Sequence, residues 1–381
     1  MSPRVGIVGV GQTKYERDKR NQNLTEIIFE AAAKALADAN MSREEIDGVV
    51  LAAHDLVDGV AVTSMTAGAA AGAHLKDETR ICEDGAFGVA LACLEILSGG
   101  CGTVLVVSWS KCSDCNLDII TNLNFDPFFC RPFGLNELIA HALQAMRFMS
   151  KYNITEQQAA MVTVKNRLNA LGNPLAHLQA KVGINDVLSS RVLSWPLKEL
   201  DVPPRSDGAC AIVLAAEQQA KRASDAVAWI KGMGWATDGY YLGDRDLSEL
   251  PSLSLAAQKA YRMAGIADPL REIDVAEIHD VSSFHELMEY QALGFCALGQ
   301  AGQFIEQGIF HIDGNLPVNP SGGALSSNPY ASTGLVRVAE AALQVMGRAE
   351  GHQVSQVQTV LAHGVSGLCA QSNCVFVLSA D

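Results

Sequence analysis

Three features of the 381-residue sequence predict a layered α/β protein made of two related halves. Strand-like apolar runs alternate with alanine-rich helical runs along the whole chain. The runs are continuously Val/Ile/Leu-rich rather than alternating, as in strands covered on both faces. The same succession then occurs twice, at long range.

Val5 to Val10 reads as the first strand, the run through Ala31-Ala32-Ala33-Lys34-Ala35 as a helix, and Ile46 to Asp55 as a strand with its exit loop. Val227 to Gly232, Ala256 to Ala260 and Ile273 to Asp280 repeat this series. Thr103-Val104-Leu105-Val106-Val107 is echoed by Thr359-Val360-Leu361-Ala362-His363. The expected division is a first domain over residues 1–225 and a second over 226–381. Residues 111–205 have no counterpart in the second half and read as an insertion in the first domain. The insertion carries the aromatic stretch Phe125-Asp126-Pro127-Phe128-Phe129 and a helix-like run from Leu135 to Tyr152, and it closes with the strand Ala209 to Leu214. Excursions of this kind often grip a substrate.

Composition narrows the function. With 49% hydrophobic residues the chain can bury a large core, and its net charge of −14 argues against nucleic acid or an anionic membrane surface as partner. No apolar run reaches membrane-spanning length. The opening residues MSPRVGIVGVGQT enter a strand at once and lack a signal-peptide pattern, so a cytoplasmic location is expected. Ten scattered cysteines fit reduced thiols. Cys112-x-x-Cys115 is a single pair without a second, and no metal site is expected.

The segment Thr79 to Leu91 places Cys82 where a loop meets an apolar helix, with Gly85 three residues on. A thiol there faces the orphan N–H groups and positive dipole end of a helix, which favour thiolate. Taken alone the signal is weak, because most cysteines in apolar helical runs are small buried hydrophobes.

On these residues the chain resembles the thiolase superfamily from end to end. Cys82, Gly85, Leu91, Ala92, Gly99 and Val104-Leu105 fall at the spacing of its nucleophile motif. Asp84 stands where a small residue is usual. His279-Asp280, with Leu293-Gly294-Phe295-Cys296, resembles the sterol carrier protein X branch. Asn173-Pro174, Ser206-Asp207-Gly208-Ala209 and Asn319-Pro320-Ser321-Gly322-Gly323 match further family segments. One departure bears on mechanism: Asn328, in Ser327-Asn328-Pro329-Tyr330, occupies the place of a catalytic histidine.

The resemblance implies a duplicated thiolase fold, two βαβαβ-type halves in five α-β-α-β-α layers, and CoA-dependent retro-Claisen cleavage of a 3-oxoacyl-CoA, or the reverse condensation, through a cysteine acyl-enzyme. It implies Cys82 as nucleophile, His279 and Asn328 as donors to the enolate oxygen, and Gly367 as an oxyanion donor with the Cys82 N–H. His363 is the expected base in place of the missing histidine. Tyr330 and Phe128 are expected to touch substrate, with Tyr330 open as a catalytic group and Asn328 as a turn former. CoA enters as substrate, and no bound cofactor is expected. Expected partners are a second copy and a small zinc-ribbon/OB-fold subunit, in an α2β2 assembly. The aromatic insertion points to an aromatic acyl group such as that of benzoylsuccinyl-CoA. A thiolase-fold retro-aldol lyase using tyrosines, and a silent scaffold subunit, are the alternatives.

Overall fold

The structure, a computed structural model, describes residues 4–381; the first three residues of the N-terminal stretch read above lie outside the described residues. The first half runs β1 (Val5–Gln12), α1 (Leu24–Asp38), β2 (Gly48–Ala52), α2 (Asp55–Asp58), α3 (Ser64–Ala67), β3 (Asp77–Ile81), α4 (Gly85–Leu97) and β4 (Thr103–Lys111). An excursion follows with α5 (Leu117–Asn122), α6 (Glu137–Tyr152), α7 (Glu156–Asn169), α8 (Ile184–Ser189) and a small hairpin of β5 (Val192–Ser194) and β6 (Leu197–Lys198). The chain returns as β7 (Asp207–Ala216) and α9 (Glu217–Ala223). The second half comprises β8 (Ala228–Thr237), α10 (Pro251–Ala264), α11 (Pro269–Glu272), β9 (Val275–Glu277), α12 (Ser283–Ala292), α13 (Ala301–Glu306), α14 (Thr333–Val345), β10 (Thr359–Ser366) and β11 (Ser372–Ser379).

The strand order β3-β2-β4-β7-β1-β8-β11-β10-β9 shows the duplication directly. In each half the strand leading into the first long helix pairs antiparallel with the half's last strand, and that strand pairs antiparallel with its inner neighbour. The two halves meet where β1 pairs β8, at Gly6 with Trp229 and Ile7 with Ala228. The counterpart of β3 in the second half is reduced to one bridge, between Ala276 and Val318.

Three apolar cores separate the layers. Val8, Leu51, Leu105 and Val213 pack against Ile27, Ile28, Ala31 and Ala35 of α1 on one outer side. Leu361, Val375 and Val377 pack against Leu253, Ala257 and Leu287 on the other. Between the sheets, α4 and α14 form a central layer whose Phe87, Val89, Leu335 and Val338 share one core with both inner sheet faces. The expected α-β-α-β-α arrangement is present. Strands buried on both faces account for the continuous apolar runs.

Local chemistry starts and stops the helices. Asn23 and Glu26 form a reciprocal capping box on α1, and Asn136 caps α6 through the Ile139 N–H. Pro251 opens α10 and Gly265, with φ of +79°, ends it.

The outer helices lie close to their sheets because of a repeated Gly-x-Gly. A Cβ on Gly9 or Gly11 would come within 2.4 or 2.2 Å of the carbonyl oxygens of Ala35 and Ala31. On β8, Gly232 and Gly234 stand in the same relation to Ala260 and Ala256, at 2.1 and 2.3 Å. Each half therefore brings helix backbone against strand backbone, a contact that tolerates no side chain.

Replacing Gly11 or Gly234 by Val is expected to push helix from sheet and to lower stability by about 1–3 kcal/mol or more, as overpacking does. Urea melts of the two variants check this, and a wild-type midpoint for either would contradict the contact.

Candidate active site

Parallel strands set side by side deliver the first two groups of the site. β2 pairs β3 with Ala52 opposite Ile81, so the residues leaving both strands emerge from the same sheet edge. His54 and Cys82 emerge there together, with the Cys82 sulfur 3.8 Å from His54 Nδ1. The thiol is exposed, in the bend between β3 and α4. Partial burial pushes its pKa up, while the Arg80 guanidinium and the Asp55 N–H pull it down. Burial and Arg80 lower the pKa of His54, so its imidazole is neutral at neutral pH and able to accept a proton. Arg80 is held in turn by the Asp55 carboxylate, which also takes the Thr63 N–H at 2.9 Å.

Asp84 organises the ground beneath Cys82. Its carboxylate caps α4 by accepting the Ala86 N–H at 2.9 Å and takes the Gly334 N–H of α14 at 2.8 Å. One side chain thus serves the N-termini of both central helices. A Cβ at Gly334 would lie 1.8 Å from an Asp84 oxygen, so the second helix start accommodates no side chain there. Burial raises the Asp84 pKa to about 7 against the pull of the two N–H bonds.

The second half supplies His279, just beyond β9. Val365 N–H donates to its Nδ1 at 3.2 Å, which leaves the ring hydrogen on Nε2. Burial, and next the neighbouring His363, hold its pKa well below the ordinary histidine value. His279 is therefore a neutral ring with an N–H to offer. Asp280 accepts from the backbone N–H groups of Ala324 and Leu325 at 2.5 and 3.1 Å, tying down the 319–328 loop. In that loop the Asn328 Oδ1 accepts from the Thr333 hydroxyl at 2.6 Å, and its backbone N–H donates to Ser206 Oγ at 3.1 Å. With its oxygen engaged, the carboxamide has its NH2 left to donate.

Cys82, His279, Asn328, Tyr330 and Gly367 line one cavity of about 940 Å³, together with His54, Glu137, His141 and Arg167. Gly367 sits in the turn after β10 with φ of +75°. Tyr330, at φ of +22°, lies with its ring centroid 5.9 Å from that of His54 and faces Glu137. Burial pushes Glu137 up to about 7 and the Tyr330 phenol well above its ordinary value.

Two expected site residues lie elsewhere. His363 does not line the cavity. Alternation along β10 puts it on the face of Leu361 and Val365, where it is fully buried with Nε2 2.9 Å from Asn373 Oδ1 and Nδ1 3.3 Å from Glu289. Its Nε2 is engaged by Asn373 and its Nδ1 faces Glu289, which lies outside the cavity lining, so the expectation of His363 as the base toward Cys82 is corrected, and His54 is the histidine beside the thiol. Phe128 is 80% exposed on the loop between α5 and α6 and outside the cavity, so its expected contact with substrate is corrected too. His54 had a signal in the sequence: His54-Asp55 and His279-Asp280 follow corresponding strands of the two halves. Glu137 and Arg167 left none, because their helices reach the cavity only through tertiary packing.

Comparison with known proteins follows the same lines. A family profile described as thiolase C-terminal domain-like matches residues 234–380. An acetyl-CoA acetyltransferase of Methanocaldococcus jannaschii is 31% identical over 350 residues, covering 88% of each chain. Human sterol carrier protein 2 is 29% identical across 96% of this chain and 70% of its own length. The benzoylsuccinyl-CoA thiolase subunit BbsB of Thauera aromatica is 30% identical over 236 residues, 61% of each. A solved structure described as an Ltp2-ChsH2(DUF35) aldolase superposes with a TM-score of 0.86 at 25% identity, over 100% of this chain and 99% of its own.

Asp84 yields a pH signature. Its folded-state value near 7 exceeds the ordinary 3.8, so between those values the folded chain keeps a proton that the unfolded chain has lost. Its contribution to stability therefore falls as pH rises through that window. Denaturation of wild type and Asp84→Asn at several pH values is expected to show a shallower decline in the variant, and identical slopes would refute the assignment.

Proposed function

The chain belongs to the thiolase superfamily, in its sterol carrier protein 2-type branch, and from that premise we propose that it is an acyl-CoA C-acyltransferase cleaving a 3-oxoacyl-CoA with free CoA. The observation that carries this reading is the meeting of Cys82 and a neutral His54 with the two donors His279 and Asn328 in one cavity.

In the proposed sequence His54 takes the Cys82 proton as the sulfur attacks the 3-oxo carbon. The N–H groups of Cys82 and Gly367 hold the tetrahedral oxyanion. The C2–C3 bond breaks, and its electron pair becomes the enolate of the departing acyl-CoA. His279 Nε2–H and the Asn328 NH2 hold the enolate oxygen while C2 takes back the proton from His54. Free CoA then gives its thiol proton to His54, attacks the acyl-cysteine and expels Cys82. The reverse order is condensation. CoA serves as substrate, and the reaction needs no bound cofactor.

The finer readings rest on particular supports. An aromatic acyl group such as that of benzoylsuccinyl-CoA is supported by the likeness to BbsB over 236 residues. Pairing with a small zinc-ribbon/OB-fold subunit is supported by the two-component name of the solved neighbour. A homodimer, and with that subunit an α2β2 assembly, is supported by β3, which ends the sheet with a half-exposed open edge. Ten free thiols support a reducing, cytoplasmic setting, and among the described residues no helix is long and apolar enough to cross a membrane.

A second reading, retro-aldol cleavage of a CoA thioester, is favoured by Tyr330 facing Glu137 in the cavity and by the aldolase among the solved neighbours. The two reactions differ in their need for CoA and for the thiol. With a panel of 3-oxoacyl-CoAs, wild type is expected to consume CoA, and Cys82→Ala to lose turnover. A CoA-independent reaction that survives Cys82→Ala and stops in Tyr330→Phe would replace the transferase by the lyase.

Individual roles separate in the same assay. His279→Ala and Asn328→Ala are each expected to lower kcat by about 10²–10³-fold, as loss of an oxyanion donor does. His54→Ala is expected to slow alkylation of Cys82 by iodoacetamide at neutral pH. Equal alkylation rates in His54→Ala and wild type would remove His54 from the base role.

A further inference from the structure

Among the described residues, Arg167 is a buried charged group of the cavity wall whose surroundings call for a ligand. It is only 4% exposed, yet among the described residues no hydrogen bond or ion pair reaches its guanidinium, and its Nε is buried without a partner. Arg205, the other arginine lining the cavity, is spoken for by Asp118 at 2.6 Å. Burial lowers the Arg167 pKa to about 10, so the side chain stays charged at neutral pH. A buried unpaired guanidinium is costly unless something anionic completes it.

The surroundings say which anion. Thr163, one turn earlier on α7, bonds the Leu200 carbonyl at 3.1 Å, so Arg167 shares the helix face on which the 200–204 loop packs, and that loop shows the cavity Leu200, Val202, Pro203 and Pro204. Leu178 closes another side, its N–H on the Ser326 carbonyl at 3.0 Å. Beyond it lies His177, whose ring faces Ser206 Oγ at 2.9 Å, and the same Ser206 hydroxyl accepts the Asn328 N–H. Arg167 and Asn328, the donor assigned to the thioester enolate, line the same cavity. The phosphates of CoA are separated from the thioester by the whole pantetheine arm and retain their water, which an apolar inner wall does not supply. A carboxylate on the acyl chain is small, planar and suited to a guanidinium fork.

We infer that Arg167 binds a free carboxylate on the acyl portion that stays with CoA, so that the substrate class is the 3-oxoacyl-CoAs whose departing acyl-CoA is a dicarboxylic monothioester of the succinyl type. The inference rests on the reading of the cavity as an acyl-CoA site.

The test is calorimetric binding of succinyl-CoA, butyryl-CoA and CoA, in a Cys82→Ala background that blocks acyl transfer, with Arg167 intact or changed to Met or Lys. The preparation is the one, chain alone or with its small subunit, that turns over in the CoA assay. With Arg167 intact, succinyl-CoA is expected to bind tighter than butyryl-CoA by about 30-fold or more, the scale of a buried charge pair. That preference is expected to vanish in Arg167→Met and to return in part in Arg167→Lys. Equal binding of the two esters overturns the inference and leaves the acyl-CoA site standing. Weaker binding of CoA itself in Arg167→Met also overturns it, by placing the arginine on the phosphates. Binding of none of the three overturns the acyl-CoA reading as well. The comparison with Arg167 intact decides the matter even if a variant fails to fold.

Discussion

The carboxylate of Asp84 joins the two halves of this protein through buried hydrogen bonds. It accepts N–H groups from the starts of α4 and α14, the paired helices that form the central layer. Each helix start would otherwise leave buried orphan donors. A single acceptor shared between the two sets their relative position, and Gly334 lets them come together. Asp84 Oδ2 also lies 3.8 Å from His279 Nδ1, so the same group borders the second-half side of the cavity. Cys82, two residues before it, inherits its place from this junction.

Around that junction the cavity is assembled from chain ends rather than from one element. His54 and Cys82 leave neighbouring parallel strands of the first half, His279 leaves β9 of the second, and Gly367 turns between β10 and β11. The excursion then closes over them with Glu137 from α6 and Arg167 from α7. Electrostatics divides this space. His54 is kept neutral by burial and by the positive charge of Arg80, which suits proton exchange with a thiol, and His279 by burial and next by His363. Another wall holds an uncompensated guanidinium, and a third holds carboxyl groups whose burial raises them toward neutrality.

His363 shows why residue type and spacing alone misplace a role. It lies on a strand that leads to the cavity, two residues before Val365, which does line it. The two share one face of β10, and two residues further from the strand's end that face is packed against Glu289 and Asn373 rather than open to the cavity. Its effect on the site is indirect, as one of the groups that keep His279 neutral. Phe128 errs in another way. The aromatic stretch of the insertion is divided by its own turn at Asp126, leaving Phe125 buried and Phe128, Phe129 and Phe133 in solvent.

The sequence by itself determined the layered α/β class, the duplication, and the cysteine and histidine at the ends of the relevant strands. These are carried by local patterns: continuous apolar runs, the repeated strand and helix series, the spacing around Cys82, and His279-Asp280 after its strand. Only the tertiary structure decided which groups meet. Whether His54 or His363 stands beside Cys82 depends on strand register and facing, and whether Arg167 finds an acid depends on three loops distant in sequence. Asp84 appeared in the sequence merely as a departure from a small residue. Its reason lies 250 positions away in the chain, at the N–H of Gly334. Burial and long-range pairing are properties of the packed chain, and no window of sequence contains both partners.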